Sequence, residues 1–309
     1  MWAWRSCFFH DRRDDDRQTI AFSTTAMNVS CVIPAYNSER WIDDCLRSIR
    51  AQRPSNLIET VVVDNSPTNL LRSSVQSYMV DWPLLSYVHQ AQNGGFAAAC
   101  NYGFSLIHGE WTLFLNADAN LLPGAVDALL ADADARTGAV GPHLEFPDGH
   151  FQPQCKRGVP TLWASFCYLS GLDRFLGKMP GFGSYLQQHV GEEEPADVPA
   201  LSGACMLVRS DAFRSIGMFD AHYFMHFEDL DVCMALKQAG WAIKYCPGAR
   251  AIHVKGGSNV DTATAVEVGK HFSASWLVFY EKWLSDKYPR IVSATLRHVM
   301  GRGRRMVVR

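Results

Sequence analysis

The sequence predicts an α/β fold built on one mostly parallel sheet with helices on both faces. Two observations carry this. Short apolar, β-branched runs at residues 29–34 (VSCVIP), 60–63 (TVVV), 85–89 and 111–115 alternate with segments of helical spacing. They lack the polar alternation of a half-exposed strand, so they read as strands buried on both faces. Polar residues then follow each run: Ala35-Tyr36-Asn37, Asp64-Asn65, Gln92-Asn93 and Asn116-Ala117-Asp118. In open parallel sheets ligands sit beyond the carboxyl ends of the strands, where such clusters converge.

The elements follow in order. After the first strand, Asn37 or Ser38 is placed to cap a helix whose apolar positions are Trp41, Cys45, Leu46 and Ile49. The second strand ends in the turn Asp64-Asn65-Ser66-Pro67, and residues 69–80 read as helix. A glycine turn at Gly94-Gly95 leads into a helix over 96–107, and Pro123 opens another that reaches about Asp134. Residues 142–199 are rich in Gly, Pro and aromatics and lack periodicity, which predicts a long, partly irregular excursion. Strand character returns at 200–209, helix at 229–239 with Gly240 as its stop, strands at 241–245 and 250–254, and a long helix at 262–285.

At 309 residues with 48% hydrophobic and 19% charged side chains, the chain can bury a large core. The net charge of −2 argues against nucleic acid as a partner. Nine cysteines without a C-x-x-C pair argue against a disulfide framework or a zinc site and favour a reducing, cytoplasmic setting. Residues 1–26 read as a disordered extension without the layout of a signal peptide, and Met27 is a candidate initiator. No run approaches the length of a membrane span.

Three clusters bear chemistry. Asp118 ends a buried strand, where a carboxylate can hold a hard divalent cation together with substrate phosphates; the alternative is that Asp118 or Asn120 caps the helix opening at Pro123. Glu228, Asp229 and Asp231 place three carboxylates in four positions beside Tyr223, Phe224 and Phe227. They read either as a solvated helix start or as the seat of a general base. His253 follows a strand and is a ligand or an incidental residue. Cys205 and Cys233 read as core.

In order, these clusters resemble the family 2 glycosyltransferases of the GT-A fold, in particular the bacterial rhamnosyltransferase-like branch. The resemblance spans about residues 28–258. It rests on Val32-Ile33-Pro34-Ala35-Tyr36-Asn37, Val63-Asp64-Asn65-Ser66, Asn93-Gly94-Gly95-Phe96 with Asn101, Leu115-Asn116-Ala117-Asp118, and Ser202-Gly203-Ala204-Cys205-Met206 leading to Phe227-Glu228-Asp229-Leu230-Asp231. It implies a GT-A domain over 27–258, with a nucleotide-sugar half (27–141) and an acceptor and catalytic half (142–258), followed by a helical basic extension (259–309). It implies that Pro34, Ala35, Tyr36, Asn37, Asp64, Asn65, Asn93, Gly95, Phe96, Asn101 and Asn116 bind the nucleotide sugar and that Gly203 lies at the acceptor. Asp118 and His253 would hold Mg²⁺ or Mn²⁺. Asp229 would be the base, supported by Glu228, with Asp231 positioning the acceptor or the base. The chain has Asn116 where the family's D-x-D motif has its first carboxylate. The resemblance further implies an inverting transfer from a dTDP- or UDP-sugar to a glycan or lipid-linked acceptor in cell-surface polysaccharide synthesis.

Residues 281–309 carry eight Lys or Arg against two acidic residues, interleaved with Trp283, Ile291, Val292, Leu296, Val299 and Met300. This fits peripheral contact with an anionic membrane, or a solvated terminus. Two other functions compete with transfer. A nucleotidyltransferase that forms nucleotide sugars would carry a glycine-rich basic loop where Pro34-Ala35-Tyr36-Asn37 stands. A non-catalytic copy of the fold would not need Asp118, Asp229 and His253 together.

Overall fold

The computed structural model describes residues 28–52, 57–179, 181–254 and 262–306. Its first half is four parallel strands, β1 (Val29–Ala35), β2 (Leu57–Asp64), β3 (Leu85–His89) and β4 (Trp111–Leu115), joined by α1 (Ile42–Arg50), α2 (Leu71–Met79) and α3 (Phe96–Phe104). Side chains of both parities are buried along β1 and β4, which is why their sequence shows no alternation. The chain continues through β5 (Ala119–Leu121), α4 (Ala125–Asp132), β6 (Thr137–Glu145), β7 (Lys156–Arg157), α5 (Leu162–Ser170) and α6 (Leu172–Leu176). Then come β8 (Ala196–Asp197), β9 (Ala200–Leu201), β10 (Cys205–Arg209), α7 (Ser210–Ser215), α8 (Glu228–Gln238), β11 (Ala242–His253), α9 (Thr262–Trp283) and α10 (Arg290–Met306).

The main sheet has the order β3-β2-β1-β4-β10-β6-β11-β5, with β8 also paired to β11. β1 to β4, β6 and β11 point one way; β5, β8 and β10 run against them. The α/β class and mostly parallel sheet expected from the sequence are what the chain forms. The carboxyl ends of β1, β2, β3 and β4 and the start of β10 share one edge, since Ala35 pairs with Asp64, Asp64 with His89, and Leu115 with Cys205.

Several elements depart from the reading of the sequence. The expected excursion at 142 begins later, because β6 runs through Pro142 to Glu145. Pro142 is tolerated because β10 pairs with β6 only at Ala139 and Val140 and so asks no ladder hydrogen bond of Pro142. The two short strands expected at 241–245 and 250–254 are one strand, β11, with a register break between Cys246 and Arg250 around Pro247. The single strand expected at 200–209 is split into β9 and β10 by Ser202-Gly203-Ala204. Neither Asn37 nor Ser38 caps α1 through its side chain. The Ser38 carbonyl instead accepts from the amides of Trp41 and Ile42, at 2.9 and 3.0 Å.

The C-terminal helices are packed onto this body. Phe279, Tyr280 and Leu284 are buried, and Leu296 packs against the core. Trp283, expected in a tail that either contacts a membrane or is solvated, donates from Nε1 to Asp231 Oδ1 at 2.7 Å. The side chains of Val299 and Met300 and the whole of 1–27 and 255–261 lie outside the described residues. No described helix is long and apolar enough to cross a membrane. All eight described cysteines are buried and unpaired, Cys205 and Cys233 among them.

Candidate functional site

The strand ends bring the first polar clusters together. Tyr36 is exposed at the end of β1, and the Asn37 amide, at a φ of 49°, donates to Ser66 Oγ at 2.8 Å. Asp64 is fully buried; its carboxylate accepts from the Tyr87 hydroxyl at 2.6 Å and the Ser66 amide at 2.9 Å. Burial and the Asp64 charge hold the Tyr87 phenol well above its ordinary pKa, so it remains a donor. Asn65 Nδ2 reaches Asn93 Oδ1 and the Gly95 carbonyl at 3.4 and 3.3 Å, and Asn93 Oδ1 accepts the Gly95 amide at 2.9 Å. Gly95 has a φ of 88°, and a Cβ there would lie 2.2 Å from the Phe224 carbonyl oxygen. Only glycine permits that approach, which lets the Phe96 amide bond the same oxygen at 2.8 Å.

Asp118 and His253 meet through strand pairing. β5 lies antiparallel to β11 with Ala119 opposite His253, and the Val254 amide donates to the Asp118 carbonyl. The side chains end 3.5 Å apart, His253 Nε2 to Asp118 Oδ1. Gln152, buried and unremarked in the sequence, fixes the imidazole. Its amide nitrogen donates to the carbonyls of His253 and Glu145 at 2.6 and 3.2 Å, so its Oε1 must face His253 Nδ1, 3.1 Å away. An oxygen there requires Nδ1–H, so that in the neutral imidazole it is the Nε2 lone pair that turns toward the Asp118 carboxylate. The helix-cap alternative for Asp118 and Asn120 is removed, since α4 starts at Gly124 with no side-chain cap.

This donor set fits a divalent cation. An imidazole nitrogen and a carboxylate oxygen face each other at 3.5 Å, and both are ligand types that such cations take. Among the described residues no cluster of three or more His, Cys, Asp or Glu could hold a metal by itself. Mg²⁺ and Mn²⁺ sites commonly take few protein ligands and complete the shell with substrate phosphate and water. Replacing Gln152 by Leu is expected to weaken Mn²⁺ binding in the presence of nucleotide by about 10–100-fold, read by calorimetric titration; unchanged affinity means the imidazole needs no such partner.

The acidic cluster is not a solvated helix start: Glu228, Asp229 and Asp231 are all buried. His226 and Phe227 both have a φ of 69° immediately before α8, a backbone state that costs free energy and persists only where the surroundings impose it. Here α9 imposes it. Phe227 packs on Phe272 and Phe279, Phe224 stacks on His271 at 4.1 Å, and Ser275 Oγ donates to the Met225 carbonyl. Asp229 Oδ2 accepts the Gly203 amide at 2.9 Å and forms an ion pair with Arg157 from β7, while Oδ1 accepts the Leu230 amide. Arg157 also donates to the Leu201 carbonyl at 2.7 Å. Burial opposes the Arg157 charge, but Asp229 beside it keeps the guanidinium above its ordinary pKa. Arg157 lay in the segment without periodicity, so only the tertiary contact marks it. Gly203 precedes Ala204, whose carbonyl accepts the Asn116 amide at 2.9 Å, so the Asp229 and Asp118 segments flank the same strand ends.

Glu228 differs from its neighbour. Burial, then the charge of Asp229, pushes its carboxyl up to about 8, and its Oε2 has no hydrogen-bond partner. From pH 4.5 through about 8 the folded chain keeps a proton that the unfolded chain releases, so this group makes stability fall as pH rises across that window. Glu228→Gln is expected to melt at the parent's temperature near pH 4.5 and above it at pH 8; a gap that does not widen with pH would rule this out.

Three expected residues stand elsewhere. Asn101 is a clamp on the chain before α8: its Nδ2 donates to the Phe219 carbonyl and its Oδ1 accepts the Phe219 amide, at 2.8 and 3.0 Å. The Phe96 ring packs edge-on against Phe219, in the core. Asp231, on the other side of α8, accepts from Tyr223, Trp283 and Lys282 at 3.1, 2.7 and 2.9 Å and so anchors α9. These contacts give all three side chains packing partners, with Phe96 partly buried.

The comparisons with known proteins agree with this architecture. Residues 30–217 match the profile of glycosyl transferase family 2. Over 265 residues, 81% of each chain, the sequence is 30% identical to N-acetylglucosaminyl-diphospho-decaprenol L-rhamnosyltransferase of Mycobacterium tuberculosis. Among solved structures, GalNAc-T7 with UDP, GalNAc and Mn²⁺ superposes with a TM-score of 0.59 at 17% identity, over 90% of this chain and 55% of that one. The mannosyltransferase PcManGT of Pyrobaculum calidifontis, with GDP-Man and Mn²⁺, gives 0.59 at 19% identity over 87% of this chain and 68% of that one. At these identities the structures show a shared GT-A fold; the profile over residues 30–217 and the 30% identical relative establish that the chain belongs to glycosyl transferase family 2.

Proposed function

We propose that this glycosyltransferase moves a sugar, with rhamnose the first to test, from a dTDP- or UDP-linked donor to a hydroxyl of a lipid-linked glycan, with inversion, in cell-wall polysaccharide synthesis. The observation that carries the reading is the pairing of Asp118 with His253 at the sheet edge that also presents Asp229. The Mycobacterium tuberculosis relative supports the sugar and the acceptor class by its name. Tyr36, Asn37, Asp64 and Asn65 would bind base and ribose; Asn93 and Gly95 would line the donor. Asp118 and His253 would hold Mg²⁺ or Mn²⁺, which when bound neutralises charge on the departing diphosphate.

The remaining work falls to side chains. Asp229 Oδ2 is held by Arg157 and the Gly203 amide, whereas Oδ1, which accepts the Leu230 amide, has a second lone pair for an acceptor hydroxyl. The hydroxyl oxygen attacks the anomeric carbon, its proton passes to Asp229, and the bond to the nucleoside diphosphate breaks. One displacement inverts the configuration and needs no enzyme nucleophile. The test is incubation with dTDP-rhamnose or UDP-sugars and a lipid-linked acceptor, reading nucleotide release and the anomeric configuration of the product by NMR. A retained configuration would overturn the mechanism, and nucleotide-sugar synthesis in place of transfer would favour the nucleotidyltransferase reading.

A further inference from the structure

Six of the fifteen large hydrophobic side chains that are exposed among the described residues fall within residues 163–179: Trp163, Phe166, Tyr168, Leu169, Phe175 and Met179. Trp163, Phe166 and Leu169 recur every third residue of α5 and so lie within about a third of its circumference. α6 adds Phe175, 87% exposed, beside Leu169 at 82%. Scattered apolar side chains need no explanation, but a cluster of aromatics does. The charges beside them share one sign. Between residues 158 and 190 the only acidic side chain is Asp173, which is buried, while Arg174 and Lys178 are exposed. The acidic run that follows is drawn away to β11, where Glu193 pairs with Arg250 and the Glu192 carbonyl accepts from Tyr245.

We infer that α5 and α6 form a docking surface for an anionic lipid bilayer, with Phe166, Leu169 and Phe175 entering the acyl boundary and Arg174 and Lys178 meeting the headgroups. Apolar side chains rimmed by cations suit that interface. A second copy of the chain suits it less, because a two-fold contact across this patch would bring both sets of cations together. The Leu162 amide donates to the Tyr288 hydroxyl at 3.1 Å, which joins α5 to the turn before α10 and its exposed Arg290. The Tyr168 ring lies 5.0 Å from that of Tyr185, which contacts Arg157, the partner of Asp229. Three side chains, Tyr168, Tyr185 and Arg157, would thus link the docking helix to the proposed base. That last point rests on the proposed transfer reaction; the docking surface itself does not.

The experiment is co-sedimentation of the full chain with phosphatidylcholine vesicles, with and without phosphatidylglycerol. The parent is expected to bind the anionic vesicles. Phe166→Ser/Leu169→Ser/Phe175→Ser should lower partitioning at least about tenfold, and Arg174→Glu/Lys178→Glu should abolish the preference for phosphatidylglycerol. The melting temperature of each variant checks that these exposed positions leave the fold intact. No binding by the parent overturns the proposal, as does a triple variant that binds equally well. A parent dimer that the triple variant disperses, without vesicle binding by either, assigns the surface to a second copy. Nucleotide titration of the same proteins keeps the questions apart: failure to bind UDP or dTDP counts against the donor site and leaves the docking result standing.

Discussion

Asp229→Asn is expected to lower turnover by about 10²–10⁴-fold, the usual contribution of a positioned general base, while leaving nucleotide affinity close to the parent's. Asn keeps the shape and can still accept from Arg157 and the Gly203 amide, but it has no charge with which to take a proton. The substitution also removes the counter-ion of a buried guanidinium. A buried charge left without its partner costs about 3–5 kcal/mol, and the amide oxygen offsets part of that. Kinetics should therefore be read well below the melting temperature, alongside calorimetric titration of UDP and dTDP. Loss of turnover with nucleotide binding intact supports the base. Loss of both would show Asp229 to be a structural anchor for β7 and the Gly203 turn, and near-normal turnover would remove it from the reaction.

The second large effect is at Asp118. With Asp118→Ala, the gain in UDP or dTDP affinity that Mn²⁺ or Mg²⁺ gives the parent should disappear, a loss larger than the roughly 10–100-fold typical of an outer partner such as Gln152. In chelator, parent and variant should bind alike. The reasoning is local: the chain offers one carboxylate and one imidazole 3.5 Å apart, so removing the carboxylate leaves a single nitrogen for a hard cation that prefers oxygen. Equal, metal-dependent binding by both proteins would overturn the assignment, and the nucleotide that binds more tightly narrows the sugars to test.

The parallel strands were legible because burial on both faces writes uninterrupted β-branched runs into the sequence, and β3 and β4 fall at the expected bounds. The second half of the sheet was harder to read. β6 carries Gly138, Gly141 and Pro142, and β11 carries Pro247-Gly248, residues that usually end strands. They are accommodated because β10 asks no ladder hydrogen bond of Pro142 and because β11 bulges, facts that belong to the pairing. Neighbours in a motif, such as Glu228, Asp229 and Asp231, can be read together from the sequence; partners a hundred residues away cannot. Gln152 meets His253 across 101 residues, and Arg157 meets Asp229 across 72.

By itself the sequence determined the α/β class, the polar strand ends, and the carboxylates and histidine available for chemistry, because each is written in neighbouring residues. The tertiary structure alone decided how they act. It turned Asp118 toward His253 by pairing β5 with β11, and it set Asp229 against Arg157. It assigned Asp231 and Asn101 to packing by surrounding their polar atoms with partners from α9 and the Phe219 backbone. Side chains on one helix or strand end have the same local signature whether they face a ligand or a neighbour, and only the packing of distant segments distinguishes the two.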